Sequence, residues 1–168
     1  KNHAAGGGST ALGQENVSWG TTNFTAGYQN IAGDINAPVG TAGSATALGH
    51  GTIASGRSSF SANKYTSATN QASASIGLAT TADNFGMLAV GVNNAAGIGD
   101  TSIDPNDYGG YYYADGEYTG TNPGVAFVVG NGDINSSTGR AGDNPSNAFV
   151  VNYDGSATLS GELTVESD

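Results

Sequence analysis

Four carboxylates, Asp104, Asp107, Asp115 and Glu117, fall within residues 101–124 (TSIDPNDYGGYYYADGEYTGTNPG), alongside five of the chain's eight tyrosines, Tyr108, Tyr111, Tyr112, Tyr113 and Tyr118. Clustered oxygens are what a hard cation such as calcium takes, so Asp104-Pro-Asn-Asp107 and Asp115-Gly-Glu117 supply the candidate ligands. Gly130-Asn-Gly-Asp133 matches part of a calcium-binding nonapeptide turn. None of these runs completes a motif, and solvated acids that keep the chain soluble are the plainer reading; no other cofactor is expected. Paired carboxylates also serve glycoside hydrolysis, but this loop is small beside the catalytic parts of hydrolytic spikes, and the chain is read as non-enzymatic. Tyrosine on a Gly-rich loop gives flat, amphipathic contact area at low entropic cost. The five tyrosines are therefore the receptor-binding candidates, the alternative being packing against a neighbouring chain or over the end of the scaffold.

Other chemistry is sparse. Acid–base or nucleophilic work at neutral pH most often uses histidine, and there are two: His3 in a Gly-rich lead-in and His50 at a turn, where an exposed polar residue is ordinary. Gly49-His50-Gly51 is half of a nucleotide fingerprint, but no lysine follows it and no crossover helix is available, so phosphate binding is rejected. Without cysteine there are no disulfides or thiolate metal sites. The net charge is −10; residues 1–99 are neutral, and the excess acid lies from Asp100 onward against Arg140 alone. Four basic residues in such a chain exclude nucleic-acid binding and disfavour anionic membrane. No apolar run has the length of a membrane span, so direct membrane insertion is not expected. The amino-terminal Lys-Asn-His-Ala-Ala-Gly lacks the apolar core of a signal peptide, and the chain reads as a segment of something longer.

What must position these residues is a repeat. Residues 45–100 divide every fourteen residues into ATALGHGTIASGRS, SFSANKYTSATNQA, SASIGLATTADNFG and MLAVGVNNAAGIGD, and STALGQENVSWGTT and NFTAGYQNIAGD precede them, giving six coils. Position five is Gly13, Gly27, Gly49, Asn63, Gly77 and Gly91, and position ten is Ala in five coils and Ser18 in the first. Fourteen residues are too few for a helical hairpin but fit two short strands and two turns, one coil of a β-solenoid. Positions two and four are apolar or small, lie on one face, and are read as the interior. Position eight stacks Asn16, Asn30, Thr52, Thr66, Thr80 and Asn94; this is read as turn and ladder chemistry, with an ice-binding face as a remote alternative because its flanking columns vary. Few large aliphatics and 28 glycines would suggest disorder, but a disordered chain has no reason to keep such a register. A single coil buries too little to offset its ordering entropy, so several chains are expected to pool apolar faces.

The fourteen-residue unit, with ALG, SIG and AVG strands followed by an Ala and a Gly or Asn turn, resembles the head repeat of trimeric autotransporter adhesins, the YadA-like head, over residues 9–100. The resemblance implies a left-handed parallel β-roll, three rolls packed as a homotrimer, and an extracellular address. Asn63 at the glycine position and the insertions depart from it. Downstream, Val125-Ala-Phe-Val-Val-Gly-Asn-Gly recurs as Asn147-Ala-Phe-Val-Val-Asn-Tyr-Asp-Gly, and both apolar runs are read as strands buried on two faces. Ala157, Leu159, Leu163 and Val165 alternate with polar residues as a half-buried strand. This segment resembles the part of phage tail fibres that precedes a stalk or a self-cleaving trimerisation chaperone.

The expected architecture is all-β: a roll over 1–100 with an inserted loop at 35–44, the Tyr-rich insertion at 101–124, and a strand-rich neck or fibre segment over 125–168. All four prolines fall in expected loops. The expected function is the adhesive head of a trimeric fibre, on a bacterial surface or a virion tail, binding a cell-surface glycan or protein. A structural spacer is the rival.

Overall fold

The computed structural model of the chain describes residues 1–36, 43–98 and 124–164. Every regular element among them is a strand. In chain order they begin with β1 (His3–Ala5), β2 (Thr10–Gln14), β3 (Val17–Trp19), β4 (Phe24–Tyr28) and β5 (Ile31–Ala32). There follow β6 (Thr46–His50), β7 (Ile53–Ala54), β8 (Phe60–Lys64), β9 (Ser67–Ala68), β10 (Ala74–Leu78), β11 (Thr81–Ala82) and β12 (Leu88–Val92). Last come β13 (Val125–Asn131), β14 (Ile134–Asn135), β15 (Arg140–Ala141), β16 (Asn147–Asn152) and β17 (Ala157–Leu159).

The even strands β2 to β12 stack in parallel as one sheet and the odd strands β1 to β11 as another, so each repeat is one coil of a solenoid of about six turns. Register follows the repeat: Leu12, Ala26, Leu48, Ala62, Ile76 and Val90 lie in line, and so do Gly13, Gly27, Gly49, Asn63, Gly77 and Gly91. The fifth position is tight. Gly27 has φ +121°, and a Cβ there would overlap the Gly49 carbonyl of the next coil. Asn63 occupies the same position at φ 95°.

The interior is not where positions two and four place it. Those side chains point outward, with Leu12 53% and Ile76 40% exposed, while position three (Thr25, Ala47, Ser61, Ser75, Ala89) is sealed. The expectation took bulk and apolarity as the mark of the inside, and strand parity leaves no middle course, because a shift of one residue exchanges the two faces. The gap between the sheets decides the outcome. Ser61 and Thr66 join hydroxyls across it at 2.7 Å, Ser75 and Thr80 at 2.8 Å, and Ser18 and Thr25 at 3.0 Å, so the interior is only two short side chains wide. Leucine or phenylalanine has no room at these hydroxyl pairs, and only at the far end of the roll, around Met87, Val125 and Val128, are larger side chains sealed.

Position eight is buried too, which removes it as an outward ice-matching ladder. Its asparagines bind coil to coil: Asn30 Nδ2 donates to Asn16 Oδ1 at 3.0 Å and to the Gly49 carbonyl at 2.8 Å, and Asn30 Oδ1 accepts from the Thr52 N–H at 3.0 Å and its hydroxyl at 2.7 Å. Buried polar groups are tolerated when paired in this way.

After residues 99–123 the chain resumes the same sheet. β13 pairs in parallel with β12, setting Leu88 beside Phe127, Val90 beside Val129 and Gly91 beside Gly130, as a further coil would. β16 and β17 then add antiparallel to the edge. Burial on both faces does not hold for these strands. Val125 and Val128 are sealed with Met87 and Ala89, but Phe127 and Val129 are half-buried and β16 is half-buried throughout. β17 is three residues long and exposed, with Leu159 43% accessible; Leu163, beyond its end, is 73% accessible, Val165 lies outside the described residues, and no described layer covers that side.

Candidate functional site

The Tyr-rich insertion, with Tyr108, Tyr111, Tyr112, Tyr113 and Tyr118 and the calcium candidates Asp104, Asp107, Asp115 and Glu117, lies outside the described residues. Its attachment does not. Asn84, fully buried at the end of the sixth coil's predecessor, donates from Nδ2 to the Ile98 carbonyl at 3.0 Å and accepts the Val125 N–H on Oδ1 at 3.2 Å. One amide thus holds both feet of the insertion. At the same corner Asn23, the first residue of the second coil, accepts the Ala45 N–H on Oδ1 at 2.8 Å, at the return from the 35–44 insertion. Both insertions therefore leave from the same corner of the roll, the turn from the odd-strand sheet back to the even-strand sheet.

The opposite corner, at positions six and seven, carries a cluster that the sequence reading passed over. Tyr28, His50 and Lys64 lie in register on β4, β6 and β8. The Tyr28 and His50 rings are 5.0 Å apart between centroids, and those of His50 and Tyr65 4.9 Å apart. Tyr65 lies over Gly51, where a Cβ would sit 2.7 Å from a ring carbon. Lys64 Nζ is 5.4 Å from the Tyr65 centroid, and Arg140 is 4.8 Å from it. His50 is half-buried between tyrosines rather than free at a turn. His3 remains exposed, 5.8 Å from the Trp19 ring. The shared sixth position of Tyr28, His50 and Lys64 was a signal available in the repeat; Arg140, brought in from the far end of the chain, left none.

Arg140 is delivered by the β14–β15 hairpin, and the hairpin is pinned by Asp133. The Asp133 carboxylate accepts the Asn144 N–H at 2.9 Å and its Nδ2 at 3.0 Å, while Asn93 Nδ2 donates to the Asp133 carbonyl at 2.8 Å. The Asn144 backbone N–H, then its side-chain amide, hold the Asp133 carboxyl below its ordinary pKa. Glu15 is lowered as well, by the Gln29 amide first and then by Gln14, and Asp154 by the Ser156 hydroxyl and N–H. The oxygens of the Gly130–Asp133 turn are accordingly engaged: Asp133 with Asn144, and Asn131 Oδ1 with the Ser146 hydroxyl at 2.8 Å. Among the described residues no three His, Asp or Glu side chains gather as a metal site would require.

The even-strand sheet presents a third feature. Its outer face carries two apolar columns across nine strands: Leu12, Ala26, Leu48, Ala62, Ile76, Val90, Val129, Phe149 and Leu159, beside Thr10, Phe24, Thr46, Phe60, Ala74, Leu88, Phe127, Val151 and Ala157. In the first five coils a large residue in one column stands beside Ala or Thr in the other, giving a staggered row of knobs. No helix among the described residues is long and apolar enough to cross a membrane. No family model matches the chain, and neither curated proteins nor solved structures give a match.

Proposed function

We propose that the chain is the receptor-binding head of a trimeric extracellular fibre, three left-handed rolls packed through the outer face of the nine-stranded sheet, with the insertions presented to a cell-surface glycan or protein. The observation that carries this reading is the inversion of bulk: the large apolar side chains lie outside the coil in continuous columns. About 38 Å of sheet at 4.8 Å per strand is more apolar face than scattered surface residues explain, and a second and third copy of the same stripe would cover it. The rooting of both insertions at one corner supports presentation, since loops on a rigid scaffold are where recognition concentrates.

The test is adhesion. The full chain should sediment as a trimer and bind target cells, and deletion of Gly109 to Tyr118 should leave the trimer while abolishing binding. Unchanged adhesion removes that loop from the reading, and a stable monomer at micromolar concentration removes the assembly. The continuous backbone ladder and hydrogen-bonded interior favour one second reading, a stiff spacer, which would give no signal on any cell or glycan surface.

A further inference from the structure

We infer that the corner formed by Tyr28, His50, Lys64, Tyr65 and Arg140 is a binding site for a carboxylate-bearing saccharide. This rests on the proposed surface-binding function and names a ligand class and a place for it, away from the corner that roots the insertions. Charge is the first ground. The chain has four basic residues against fourteen acids, yet two of the four, Lys64 and Arg140, converge on one tyrosine ring at 5.4 and 4.8 Å. Among the described residues neither has a carboxylate within ion-pair distance, although acids outnumber bases more than threefold. Cation–π contact holds such groups in place without neutralising them. They remain able to take an anion, Arg140 by a two-pronged contact and Lys64 as a point charge.

The second ground is the row of rings. Tyr28, His50 and Tyr65 follow one another at 5.0 and 4.9 Å along the stack of coils, Tyr28 is 37% exposed, and the row ends at the two cations. Such a row offers amphipathic faces on which the C–H side of a pyranose can rest while its hydroxyls stay wet. Construction is the third ground. Tyr65 lies over the bare backbone of Gly51, and Gly139, at φ +62°, lets the hairpin close to Lys64, where a Cβ would come within 2.7 Å of Nζ. A neutral sugar would have no use for the cations, and a bare phosphate would leave the row of rings without a contact.

Titration calorimetry of the full chain should compare sialyllactose with lactose and oligogalacturonate with its methyl ester, with inorganic phosphate as a competitor. At least one acidic saccharide is expected to bind tenfold or more tightly than its neutral partner, and millimolar phosphate to leave that binding in place. Arg140→Gln and Tyr28→Ala, both at accessible positions, should each weaken it about tenfold without moving the thermal midpoint. Equal binding of acidic and neutral partners, full displacement by phosphate, no binding of either acid at about 10 mM, or an unaltered Arg140→Gln would each overturn the site. Cell adhesion separates this from the broader reading. Adhesion without any acidic-saccharide binding overturns the site and leaves the receptor-binding head standing; saccharide binding without adhesion to any cell keeps the site and removes the head's proposed role.

Discussion

Asn30 shows what a single residue does in this interior. Its amide donates to Asn16, the Ala26 carbonyl at 3.0 Å and the Gly49 carbonyl, and accepts twice from Thr52, so three successive coils meet at one side chain. Asn30→Ala would leave the Thr52 N–H and two carbonyls without these partners in a sealed space. Each buried orphan costs about 1–3 kcal/mol, partly relieved by relaxation, so a loss of about 3 kcal/mol is expected in chemical denaturation. Asn30→Leu, more apolar, should do no better, because it supplies none of these hydrogen bonds and leaves the same buried groups unpaired. A variant within about 0.5 kcal/mol of the parent would show that the amide is dispensable.

At the scale of the element, the β14–β15 hairpin depends on Asp133. Its carboxylate accepts two bonds from Asn144, and its pKa lies below the ordinary aspartate value, so the folded hairpin binds that proton less readily than the unfolded chain does. The stabilisation is therefore complete above about pH 4, the unfolded aspartate value, and is lost as pH falls through the lower folded value. Amide exchange at Asn144 and Gly142 should rise below pH 4 before the coils are affected; equal loss everywhere would deny the hairpin its separate pin. Asp133→Asn should remove that pH dependence. The coil was legible because Gly at five and Ala at ten recur, but inside and outside were not. Alanine, serine and threonine give no hydrophobic contrast, so Leu12 and Phe24 drew the reading to the wrong face. The seventh-position turns were hidden as well, since Glu15, Gln29, Tyr65, Ala79 and Asn93 all take positive φ between 39° and 58° without a glycine to announce it. Nothing in the spacing of the chain placed Arg140 on Tyr65.

For the whole molecule, the outer stripe and the thin interior pull in different directions. The coil is held by hydrogen bonds and small side chains, while much of its large apolar area faces outward, so a charge placed there should act on association and leave the coil intact. Leu48→Glu with Ile76→Glu is expected to keep the β-rich circular dichroism spectrum while sedimentation falls from the proposed trimer to the monomer. If the double variant remains a trimer, the stripe is not the contact. If it unfolds, the coil itself depends on the assembly, as obligate oligomers do, and the association would then be read from the concentration dependence of the parent's thermal midpoint.

The Asn84 clamp carries an evolutionary consequence. Because its amide fixes the chain at Ile98 and again at Val125, the scaffold interrogates only the two ends of what runs between them. Closing a loop grows costlier by only about 0.6 kcal/mol for each doubling of its length, so the corner behaves as a socket that can accept cassettes of differing size. Natural variation, or a laboratory library grafted between those two residues, can change what lies between them without renegotiating the coils beneath.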